Sequence, residues 1–273
     1  MDIKDVIETA IIPFAGWLSA AVFTNTKRGQ RLRVIGDAFE KVSQQLTNFS
    51  AESSSKQRLV AAVRMRRFFD LNGEYALRTL RTTTCPYEKD ALGVISALLK
   101  ARVGDEDPGF YKALADGLAY ANDLSEVDLQ SADLSNAFLG RRSEQADISF
   151  KGLDFFNAKL TSASLKYARC EGAKFVQAEM KGCVLDYATL VGTDFRWANL
   201  ENARFKHCDL SNAKFDGANL TGANFADADL TGATFVDTIL VATKFQGAKN
   251  PPLAATPVSG ASEAPAIPTT AGT

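Results

Sequence analysis

The chain has 273 residues, with 31 Lys and Arg against 32 Asp and Glu, one His and four Cys. A net charge of −1 favours no charged partner, and the length leaves room for two modules and a tail. A single His and the absence of any C-x-x-C pair exclude a typical zinc site and a disulfide framework, which fits a reduced, cytoplasmic setting.

The first element is the apolar run at residues 6–23, whose one charge is Glu8. As a helix it would extend ~27 Å, close to the ~30 Å of a hydrocarbon core. Lys27, Arg28, Arg31 and Arg33 follow it, whereas Asp2, Lys4 and Asp5 precede it. The positive-inside rule then puts the bulk of the chain in the cytoplasm, with residues 1–26 as an inner-membrane anchor. A buried or interfacial helix is the other reading, because Glu8 and Pro13 interrupt the run; the location is then simply cytoplasmic.

Residues 27–120 read as an α-helical module. Leu32, Ile35, Phe39, Val42 and Leu46 keep helical spacing, as do Leu59, Val63 and Phe68, and then Leu92, Ile95, Leu98 and Leu99 after Pro86. Asp107 and Pro108 form an N-cap and first-turn proline ahead of Phe110, Leu114 and Leu118. That last helix should cover the open end of whatever follows, since an uncovered sheet edge invites association. Residues 27–102 hold fifteen basic against seven acidic side chains, whereas residues 118–250 hold fourteen against seventeen. The basic module suits an anionic leaflet, and Arg64, Arg66 and Arg67 lie within it.

From residue 121 a period of five takes over. Leu124, Leu129, Leu134 and Leu139 begin it; after a break at 140–149 it runs from Phe155 to Phe245 without a slip. Five is neither the strand period nor the helix period, so an unbroken run of it signals a solenoid. Sorted by twenties, Phe155, Phe175, Phe195, Phe215 and Phe235 form one inward column, and Leu160, Met180, Leu200, Leu220 and Leu240 the next. Gly172, Gly182, Gly192, Asn202 and Asn212 follow their central residues by two, where a type II turn needs φ > 0. The break reads as a short charged bulge, Gly140–Gln145, before a next motif at Ala146-Asp147-Ile148. It is either a tolerated insertion or a binding loop carrying Arg141, Arg142 and Glu144.

Ala198-Asn199-Leu200, Ala218-Asn219-Leu220 and Ala228-Asp229-Leu230 resemble the A-(D/N)-L-x-x motif of the pentapeptide-repeat family. The resemblance implies a right-handed quadrilateral β-helix over residues 121–249. The fold class is then a mainly β solenoid preceded by an α-helical module, α+β overall. Residues 27–120 also resemble, more loosely, a module that follows a membrane segment and precedes such repeats in bacterial proteins. The signature there is Arg66-Arg67-Phe68-Phe69-Asp70, Pro86-Tyr87 and the segment Ala115–Tyr120. Residues 250–273, rich in Pro, Ala and Thr, cannot bury enough apolar surface to fold and are expected to be a disordered tail.

Outward charges alternate in sign at twenty-residue spacing: Asp154, Lys174, Asp194 and Lys214 on one side, Lys166, Asp186 and Lys206 on another. They are expected to form cross-coil pairs. Tyr167, Tyr187 and His207 share a corner column and are expected to stack. Trp197 projects from a different corner, where an outward Trp suits an interface anchor. No nucleophile–base pair, phosphate loop or metal cluster is visible, so neither an enzyme nor a cofactor is expected. The chain thus reads as a membrane-anchored scaffold for an unidentified protein partner, with end-to-end self-association open to it and nucleic acid not favoured. The alternative the resemblance brings is a soluble DNA mimic acting on a topoisomerase, as in the quinolone-resistance members with their strongly acidic rods. Here the charge of the repeat is near balance.

Overall fold

A computed structural model describes residues 27–47, 55–69, 74–78, 83–101, 108–121, 124, 127–140 and 149–252. The apolar run at 6–23, Asp107, residues 141–148 with Arg141, Arg142 and Glu144 of the bulge and the motif Ala146-Asp147-Ile148, and the tail beyond 252 lie outside the described residues. Among the described residues no helix is long and apolar enough to cross a membrane.

One pentad makes each side of a four-sided coil. Its central residue and the small residue two before it point inward, while the residue two after it takes φ > 0 at the corner. A short turn closes each corner, as when the Ala198 N–H donates to the Phe195 carbonyl at 3.1 Å. So much turning leaves one residue per side free to pair with the coil above. Coils therefore meet through single parallel bridges such as Lys174↔Asp194 and Asn199↔Asn219. The β character of the solenoid lies in these bridges, and no continuous strand forms among its described residues.

The interior is filled by the columns the period predicts. Phe155, Phe175, Phe195 and Phe215 are fully buried and stack face to face, with ring centroids 4.6, 5.3 and 5.1 Å apart. Across the coil a second column, Phe205, Phe225 and Phe245, meets the first edge-on; Phe195 and Phe205 are 5.7 Å apart at 82°. Phe235, expected in the core with the others, is only partly buried, because the last coil has no described coil beyond it to cover its inner ring. Val236, Ile239 and Val241 are exposed at the same end.

The break differs from the expectation. Leu134 and Leu139 pair in register with residues twenty-six further on, through Asp133↔Lys159 and Phe138↔Ser164, whereas Ser149↔Arg169 restores the spacing of twenty. The next inward centre among the described residues is Phe150, fully buried, and the motif Ala146-Asp147-Ile148 lies outside them. The spacing of twenty-six across the break exceeds one coil of twenty by six residues. Leu153 stands buried in the position usually held by Ala.

Ahead of the solenoid are α1 (Lys27–Thr47), α2 (Ser55–Met65), a 3-10 turn (Arg66–Phe68), a two-stranded hairpin of β1 (Leu77–Arg78) and β2 (Thr83–Thr84), α3 (Glu88–Ala101) and α4 (Pro108–Leu118). The faces of α1, α3 and α4 are those the spacing predicts, with Ile35, Leu46, Ile95, Leu99, Phe110 and Leu114 buried. On α2 Ala61, Ala62 and Met65 are buried and Leu59 packs against the core, as Phe68 does after it, but Val63 is 48% exposed. The hairpin was not legible in the apolar pattern.

Both α3 and α4 cover the first coil, where α4 alone was expected. The Leu99 carbonyl of α3 accepts from Asp133 N–H at 3.0 Å, and Ser96 and Lys100 both reach Asp128. From α4, Asp116 accepts from Phe138 N–H at 2.6 Å. The edge donors of the first coil thus find acceptors on the helices.

Candidate protein-interaction face

The D/N of the motif has a local cause. Asp194, Asn199, Asp209, Asn219, Asn224 and Asp229 each accept from the backbone N–H two residues on, at 3.0–3.3 Å, which holds the turn before it closes. Small polar residues at inward positions also find partners: Thr193, Cys208 and Thr238 each donate to a carbonyl of the preceding coil at 3.0 Å. The interior therefore carries no idle polar group at these positions. Burial pushes the Cys170 and Cys183 thiols far up and Cys208 up to about 12, so these sulfurs are inert packing groups.

Trp197 sits at a corner with φ +58° and is 54% exposed. Its ring lies over Gly217 of the next coil, where a Cβ would fall 2.7 Å from Trp197 Nε1. Arg196 stacks on the indole at 5.5 Å and forks onto Asp194, with Nη2 2.7 Å from Oδ2 and Nε 2.9 Å from Oδ1. Burial raises the Asp194 carboxyl, but the side-chain and backbone bonds from Arg196, with the charges of Arg196 and Lys214, outweigh it and hold it below the usual range. Phe156, 40% exposed, stands on the same side of the rod, two coils away from Arg196 in the same column. Sequence reasoning missed Phe156, although its place directly after an inward Phe marks it as outward.

Tyr167, Tyr187 and His207 do stack, at 5.0 and 4.7 Å, on another corner. Lys166 lies over both tyrosine rings, at 4.9 and 5.7 Å, and His207 Nδ1 is 3.8 Å from Asp227 Oδ2. Since each ring covers the next, this column offers ring edges and hydroxyls, whereas Trp197 offers a broad apolar surface. Trp197 and the Tyr167 column do not form one site.

The expected alternating ladders do not form as ion pairs among the described residues. Asp194 pairs within its own coil with Arg196, and Asp186 pairs with Arg204, while Lys174, Lys206 and Lys214 make no ion pair with a described residue. Guanidinium forks onto carboxylate with two bonds, which a lysine cannot match. Cross-coil pairs do form at Lys181–Glu201, 3.0 Å, and Lys249–Asp229, 2.9 Å. Among the described residues no group of three or more His, Cys, Asp or Glu could hold a metal ion.

Residues 154–247 match the family model described as pentapeptide repeats in eight copies. Solved structures of pentapeptide-repeat proteins are also similar to part of the chain. HetL, involved in heterocyst differentiation regulation in the cyanobacterium Nostoc sp. strain PCC 7120, is 24% identical over 45% of this chain and 74% of its own, with a TM-score of 0.19. QnrB1, a plasmid-mediated fluoroquinolone resistance protein, is 24% identical over 45% and 77%, with a TM-score of 0.23. The protein alr5209 of Nostoc PCC 7120 is 22% identical over 42% and 84%, with a TM-score of 0.26. No curated protein matches the chain.

Proposed function

We propose, for a chain whose residues 154–247 are pentapeptide repeats, that it works as a non-enzymatic scaffold and docks a protein partner on the side of the rod bearing Trp197. The observation that carries this reading is the half-exposed indole on a rigid corner, with Arg196 held against it by Asp194. Trp and Arg dominate binding energy at interfaces, and here both are ordered before a partner arrives, so little side-chain entropy remains to be lost. Phe156 extends the apolar part of that side.

Gln177 occupies the same corner column with φ +58°, so Trp197→Gln removes the anchor while keeping a residue the fold already accommodates. Full-length protein and its Trp197→Gln variant, used as bait under identical conditions, should differ in one retained partner while their melting curves agree. Equal retention by both baits would remove Trp197 from the docking site.

The run at 6–23, followed by four basic residues, supports a tether to the inner membrane with the rod on the cytoplasmic side. The half-covered Phe235, with Ile239 and Val241 exposed beside it, supports end-to-end self-association through the last coil.

A further inference from the structure

The helical module carries a feature that the rod does not use. A cavity of about 240 Å³ opens where α1, α2 and the turn before β1 meet, and it is lined by Lys41, Val42, Gln45, Arg64, Arg67 and Tyr75. Its floor is apolar: Val42 is buried, and the Tyr75 ring lies flat on Phe68 at 4.5 Å. Its rim is cationic. Arg67 is held at 2.8 Å by Glu74, which does not line the cavity, but the side chains of Lys41, Gln45 and Arg64 make no hydrogen bond or ion pair with any described residue.

We propose that this cavity is a binding site for a phosphate group, taken either as a free anion or as the headgroup of an acidic phospholipid. Lys41 from α1 and Arg64 from α2 face one cavity across a helix pair. Two like charges gathered around one space repel each other until an anion stands between them. Arg64 offers a planar fork to two phosphate oxygens and Lys41 a point charge, while the Gln45 amide and Tyr75 hydroxyl supply uncharged donors. The volume falls below the ~300–1,000 Å³ of typical small-molecule pockets, which suits a phosphate with a short attachment better than a whole nucleotide. The surrounding module, with fifteen basic against seven acidic residues over 27–102, would draw anions toward the site. The proposal is independent of the rod's partner face.

Calorimetric titration of full-length protein tests it, with inorganic phosphate as one probe and dihexanoyl phosphatidylglycerol, kept below its micelle concentration, as the other. At least one should bind, and the double variant Lys41→Gln/Arg64→Gln should weaken it tenfold or more. Arg64→Lys keeps the charge but loses the fork and should bind between the parent and the double variant, and matching melting curves for all three exclude a general loss of folding. Tighter binding of the lipid assigns the site to a headgroup, and equal or tighter binding of phosphate assigns it to a free anion. Absence of binding to either probe, or equal binding by the double variant and the parent, would overturn the proposal.

Discussion

Side chains at the corners are constrained by the coil above them, and Gly192 and Gly217 separate the two parts of that constraint. Both have φ > 0, at +65° and +70°, so Ala at either should cost about 1 kcal/mol of left-handed strain. Nothing lies within 4 Å of a Cβ at Gly192, whereas a Cβ at Gly217 strikes the Trp197 indole. Gly217→Ala should therefore destabilise more than Gly192→Ala and also shift the emission of Trp197, which the second substitution should leave alone. Equal melting temperatures and equal spectra would mean the indole does not rest on Gly217. Asp194 gives a second residue-scale test. Its carboxyl sits below the ordinary range in the folded chain, so its contribution is present above the unfolded pKa of about 3.9 and fades as pH falls through the folded value. Asp194→Asn should flatten part of the loss of stability below about pH 4, read as melting temperature against pH. The column positions of Trp197 and Asp194 were legible from spacing by twenties. Their partners were not, because a period says which residues share a column but not that Arg196 outcompetes Lys174 and Lys214 for the carboxylate.

At the scale of elements, inward columns were legible because burial repeats with the same period as the chain. Phe195 is enclosed by Phe175, Phe205 and Phe215, and Phe195→Ala should cost about 3–5 kcal/mol and loosen the adjoining coils first. Hydrogen exchange would show that loosening in coils 175–195 and 195–215 before any change in α1 or α3. The exposure of Val63 was not legible, because a few apolar residues fix a helical phase only loosely, and neither was the register after the break, where Phe150 joins the column of Cys170. The joint between module and rod was equally illegible, since a carboxylate on α4 meets an amide twenty-two residues later. Asp116→Ala would remove the acceptor from Phe138 N–H and should cost about 1–3 kcal/mol in a denaturant titration. An effect no larger than that of an exposed Asp away from the corners, such as Asp37→Ala, would show the joint to be carried by packing alone.

For the whole molecule, charge and the segment at 6–23 decide between scaffold and mimic. An acidic mimic needs carboxylates that stand unpaired along a face. Here Asp186, Asp194, Glu201 and Asp229 are each met by Arg or Lys, and the Asp229 carboxyl is drawn down to about 2 by Thr231 and Lys249. The protein should neither rescue gyrase from quinolones nor compete with DNA, and rescue in a supercoiling assay at micromolar protein would restore the mimic reading. The tether is the sharper question. A run of eighteen residues spans ~27 Å as a helix, and Glu8 near its outer end must reach the interface, since a central charge would cost about 2.5–3.5 kcal/mol. The hydrophobic part of such an attachment is insensitive to salt, whereas attraction of the basic module to anionic lipid is screened within about 8 Å at physiological ionic strength. The two contributions can therefore be separated. Full-length protein should stay with membranes through high-salt and carbonate washes, while a chain beginning at Gly29 should be released by salt or never sediment. If full-length protein is soluble without detergent, residues 6–23 form a core or partner-binding helix, and the rod presents Trp197 to its partner away from any membrane.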